Sequence, residues 1–153
     1  MKGLTKLLSL ILIFILAFSF SGCSSYKEVD KAITKLGYTL EDNRDLIEVF
    51  RERNADIKGY AYNKKATGLF ETPSRVVVLE FKHEETLLSY YQTVQRISGH
   101  EKIRDYFSAF SIDIPPNEVH QALKDAGLSY EKCLIFNIDN DPDVTQTIIE
   151  LNN

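Results

Sequence analysis

Apolar residues recur along this chain in two rhythms, every third or fourth position and every second, and the rhythms divide it into helices and strands. Tyr26, Val29, Ile33 and Leu36 fall on one helical stripe, and Gly37 stands just past its end as a stop. Leu46, Val49 and Phe50 mark a second helix, entered among the polar N-cap candidates of residues 39–43. A third spans 84–97, with Leu87, Tyr91, Val94 and Ile97 on its core side. Glu84 and Glu85 occupy its first turn, where the helix dipole favours negative charge. Gly99 breaks it, and Ile103, Phe107 and Phe110 give a short continuation. Pro115-Pro116 opens a further helix that buries Val119, Leu123 and Ala126 and closes at Gly127. Val144, Ile148 and Leu151 define the last one.

Strands are fewer. The segment 75–82 (RVVVLEFK) is the strongest, with Val77, Leu79 and Phe81 on one side and Val78, Glu80 and Lys82 on the other. The segment 133–138 (CLIFNI) is the second. A third, 57–63 (IKGYAYN), sets Tyr60 and Tyr62 on one face and Ile57, Gly59 and Ala61 on the other, with Gly59 weakening it. Strands and helices do not alternate strictly enough for a doubly wound fold. The expected class is therefore α+β: a small, mostly antiparallel sheet of three to four strands, with helices packed mainly on one face. The two apolar strands should share one sheet. Val77, Leu79, Phe81, Leu134 and Phe136 would then face the helices carrying Leu87, Val94 and Leu123.

Ahead of these elements lies a stretch with a different character. Lys2 and Lys6 make a short positive start, and 7–20 contains no charged residue. Small Ser21 and Gly22 follow. Positive start, apolar core and small-residue exit are the parts of an export signal. The apolar run is shorter than the roughly 18–20 residues a membrane-spanning helix needs. The junction Phe20-Ser21-Gly22-Cys23 resembles the lipobox of bacterial lipoproteins: an apolar residue, two small ones, then cysteine. Phe20 stands where that family usually has Leu. The resemblance covers only the leader and its junction. It implies a signal peptide at 1–22, a diacylglyceryl group on the sulfur of Cys23, and cleavage before that residue. It also implies a location at the cell membrane, lipid-anchored outside the cytoplasm. Two acyl chains make a stable anchor where one is marginal, so no polybasic segment is needed after Cys23, and the sequence shows none there.

The remainder, 23–153, is expected to fold as a single globular domain. It holds 16 basic and 22 acidic residues, a net charge of −6. A field of that sign does not draw phosphate backbones, which argues against nucleic acid as a partner. With Cys23 acylated, Cys133 has no disulfide partner, and its apolar run marks it as a buried, inert thiol.

Catalytic signatures fail on inspection. His83-Glu84-Glu85-Thr86 begins like a zinc-protease motif, but Leu87 stands where the second histidine belongs, and His100-Glu101 fails in the same way at Arg104. Asp139, Asp141, Asp143 and Glu150 have the spacing of positions 1, 3, 5 and 12 of a calcium loop. Val144 replaces the glycine that loop needs and Pro142 intrudes. A helix start explains the same residues: Asp141 as N-cap, Pro142 at N1, Asp143 in the first turn. Tyr60 and Tyr62 with Lys58 and Lys64 suggest an aromatic, cationic recognition face, set against the plainer reading that helices cover it. Apart from lipidation at Cys23, no catalytic, cofactor-binding or metal-ligating residue is assigned.

The leading expectation is a non-enzymatic binding or interaction module held at the membrane through its acyl anchor, with an envelope protein or a small molecule as its ligand. The alternatives are a tethered enzyme drawing on His83, His100, His120 and nearby carboxylates, and a structural accessory of an envelope complex.

Overall fold

A computed structural model of the protein describes residues 24–51, 56–68, 72–96 and 118–153. The leader, Cys23, Ile97, Gly99, His100, Ile103, Phe107, Phe110 and Pro115-Pro116 lie outside the described residues, as does the side chain of Val94. The elements in chain order are α1 (Ser25–Lys35), β1 (Thr39–Glu41), α2 (Arg44–Arg51), β2 (Lys58–Lys64) and β3 (Ser74–Glu80). They continue with α3 (Glu84–Arg96), α4 (Val119–Asp125), β4 (Ser129–Tyr130), β5 (Cys133–Asn137) and α5 (Pro142–Leu151). The strands form one sheet in the order β1-β2-β3-β5-β4, with every neighbouring pair antiparallel.

The α+β class with an antiparallel sheet holds, and two finer expectations are corrected. The sheet has five strands rather than three to four. The additions are its edges, β1 and β4, which run for three and two residues and are too short to show an alternating pattern. The helices cover both faces rather than mainly one. Val77, Leu79, Phe81, Leu134 and Phe136 face one core with Phe50 of α2, Leu87 of α3 and Leu123 of α4. Val76, Val78, Tyr62, Cys133 and Ile135 face a second core with Val29 and Ile33 of α1 and Val144 and Ile148 of α5. The reason is visible in β3: Val76 through Leu79 are four consecutive apolar residues, each fully buried. An unbroken apolar run is what a strand buried on both faces requires.

The two apolar strands share one sheet as expected, and in it they are neighbours. β3 and β5 lie side by side, Val77 opposite Phe136 and Leu79 opposite Leu134. Helix boundaries follow local chemistry. Asn43 caps α2, its Oδ1 accepting from the amide of Leu46 at 3.1 Å. Gly59 has a definite place in β2. A Cβ there would lie 2.1 Å from Cγ2 of Ile47, so the missing side chain lets α2 settle onto the sheet.

Candidate functional site

The chemistry-bearing residues gather at the two ends of the sheet. At one end, two of the aspartates with calcium-loop spacing, Asp139 and Asp141, are held by protein groups. Asp141 caps α5, accepting from the amide of Asp143 at 3.0 Å, with Pro142 in the first turn. The hydroxyl of Tyr38, just past α1, donates to Asp141 Oδ2 at 2.7 Å. Its one proton is thereby used, so Ser74 of β3 donates to the Tyr38 oxygen at 2.5 Å. Lys64 of β2 completes the group, 3.6 Å from Asp141 and over the Tyr38 ring. Asn137 closes it from β5, donating to the Asp141 carbonyl and accepting from the Asp141 amide. Asp139 forms a two-pronged pair with Arg75, at 3.0 and 3.1 Å.

Electrostatics follow from these contacts. The Arg75 guanidinium beside Asp139 outweighs partial burial and holds its carboxyl below the usual range. Burial alone would raise Asp141, but the Tyr38 hydroxyl, the Asp143 amide and Lys64 together bring it below the usual range. Burial drives the Tyr38 phenol well upward, with Asp141 adding to the effect. Asp139 and Asp141 thus each have a partner on another element, which makes the cluster a latch joining α1, the sheet and α5. Among the described residues no group of three or more histidine, cysteine, aspartate or glutamate side chains is placed to hold a metal ion.

The proposed tyrosine face is covered. Tyr62 is buried under α1, its hydroxyl donating to Asp30 and bonded to the Tyr26 hydroxyl, both at 2.7 Å. Tyr60 is half-buried and stacks on Tyr26 with ring centroids 3.6 Å apart. Lys58 and Lys64 go to opposite ends of β2, and Lys64 joins the latch. The aromatic rings are therefore packing for α1, with their hydroxyls satisfied at the rim. Cys133 is buried in the second core, and burial pushes its thiol up to about 12, against nucleophilic or metal-binding use.

Of the histidines, His120 of α4 meets a carboxylate, its Nε2 lying 2.7 Å from Oε1 of Glu84 on α3. Lys124 shares that oxygen at 3.8 Å. His83 is exposed at the start of α3, beside an open depression of about 820 Å3 whose lining includes Glu84, Lys124 and Lys132.

The other end of the sheet carries the start of the described chain. Ser24 donates from its Oγ to Glu80 Oε1 at 2.6 Å, and the Tyr60 hydroxyl donates to Oε2 of the same carboxylate at 3.3 Å. The Ser24 carbonyl accepts from the amide of Lys27, so α1 begins with no intervening linker. Glu80 ends β3 opposite Lys58 of β2, and the Phe81 amide donates to the carbonyl of Lys132 in the β4–β5 turn. These strand ends enclose a cleft of about 360 Å3 lined by Asp56, Lys58, Glu80, Phe81, Lys82 and Lys132. Sequence reading missed this grouping because its three lysines come from three separate segments, the start of β2 and the turns after β3 and β4. Only the antiparallel register brings them together.

No family model, curated protein or solved structure matches the chain.

Proposed function

We propose that the chain is a lipid-anchored surface lipoprotein, with 23–153 a non-enzymatic binding or interaction domain held outside the cytoplasm by a diacylglyceryl group on Cys23. The carrying observation is the junction: an uncharged run at 7–20, then Ser21-Gly22-Cys23. Among the described residues no helix is long and apolar enough to cross a membrane. In this reading, attachment falls to the acyl chains.

A binding role is favoured over the alternatives by two features. Glu84, the carboxylate that His120 meets, is shared with Lys124 in a surface ion cluster and is not left for a reacting group. An accessory subunit would display a broad apolar patch, yet among the described residues Leu40 is the one large apolar side chain that is exposed. Cys23→Ala is the direct test. The variant is expected to lose incorporation of labelled fatty acid and to accumulate as an uncleaved, mislocalised precursor. Continued labelling with unchanged fractionation would remove the lipoprotein reading.

A further inference from the structure

We infer that the sheet end bearing Ser24 is a headgroup-contact surface, on which Lys58, Lys82 and Lys132 engage the phosphates of anionic phospholipid. The inference rests on the anchoring reading and adds to it an orientation and a lipid class. Consecutive Cα atoms lie about 3.8 Å apart, so residue 23 starts beside Ser24. Ser24 is in turn fixed to Glu80 at 2.6 Å. Acyl chains on residue 23 therefore enter the bilayer at this end, and the strand ends around Glu80 are brought to the headgroups.

The side chains there suit that neighbour. Lys58 stands opposite Glu80 in the β2–β3 pairing, and Lys82 follows it by two residues. Lys132 is positioned by the bond from the Phe81 amide to its carbonyl. None of the three ammonium groups joins an ion pair within the described residues. The cleft's two carboxylates, Asp56 and Glu80, keep their charge, so its three lysines leave the lining at 3 − 2 = +1, and Glu84, Glu85 and Glu131 lie in the adjoining depression. An ammonium is a compact point charge with three donors, suited to phosphate oxygens. Near an anionic bilayer each such lysine favours the bound state by about fivefold. The domain as a whole carries −6 and is repelled by that surface. Lysine–phosphate contacts at the tethered end, with repulsion over the rest, would give the anchored domain one preferred face, which an uncharged membrane would not impose.

The lipidated protein is placed in vesicles of phosphatidylcholine alone, or of equal parts phosphatidylcholine and phosphatidylglycerol. Its lysines are then modified with a membrane-impermeant acylating reagent. Lys58, Lys82 and Lys132 should react several-fold more slowly on the anionic vesicles, while the exposed Lys31 and Lys35 of α1 react equally on both. In Lys82→Gln/Lys132→Gln the slowing at Lys58 should shrink, with flotation unchanged. Equal rates at the three lysines on both vesicle types would overturn the headgroup contact, and so would equal slowing at Lys31 and Lys35. Failure of the protein to float with either vesicle would instead remove the anchoring reading, and this inference with it.

Discussion

Phe136 lies fully buried against Phe50, ring centroids 4.4 Å apart, and Phe81 packs on Tyr90 at 5.3 Å. Truncating either leaves a cavity between the sheet and its covering helices, so Phe81→Ala and Phe136→Ala should each cost about 3–5 kcal/mol. Tyr60 is different. Half-buried, it keeps one ring face on Tyr26, so Tyr60→Ala should cost only about 1–2 kcal/mol, the worth of an aromatic pair with some area. Urea denaturation of the three variants tests the ranking; near-native midpoints for both phenylalanine variants would mean that this core is misassigned. These residues were legible in the sequence because side-chain direction in a strand follows from position alone, and Phe81 and Phe136 had the right parity. The burial of Cys133 was legible for a different reason, the apolar run that it opens. The partners of Tyr62 were not. A tyrosine on one strand face looks the same whether solvent or α1 lies above it, and only packing decides.

Between elements, the latch of Tyr38, Lys64, Ser74 and Asp141 ties the end of α1 to two strands and to the cap of α5. Asp139 and Asp141 are both held below the ordinary carboxylate range in the folded state. The unfolded chain therefore takes up protons first as pH falls. Stability contributed by the pair is complete above about pH 4 and is lost as pH drops through the lowered folded values. Melting temperature measured between about pH 6 and pH 2 should fall in that lower window. Asp139→Asn/Asp141→Asn should flatten the fall while lowering stability at neutral pH; an unchanged acid profile would show that the latch carries no such linkage. The helix start at Asp141-Pro142 could be read from sequence because capping is local chemistry. The ties from Asp141 to Tyr38 and Lys64 could not, being set by sheet register across distant segments. The short edges β1 and β4 escaped notice for another reason: two or three residues cannot display a period.

Across the described residues, the sheet separates two cores, and the second is closed by α1 and α5 together. Val29 and Ile33 of α1 meet Val144 and Ile148 of α5 over Val76, Val78 and Ile135. The unbroken apolar run in β3 signalled burial on two faces, but the period-two reading placed only one of them in the core. If α1 and α5 form one layer, Ile148→Ala should cost about 2–5 kcal/mol. It should also speed amide exchange in α1 as much as in α5. Unchanged exchange in α1 would separate the two helices. The closing of this layer also has a cost in chain entropy. Val29 and Val144 stand 115 positions apart, so their meeting closes a long loop whose freedom is lost before the contacts reward it, and the second core waits on an encounter between distant segments.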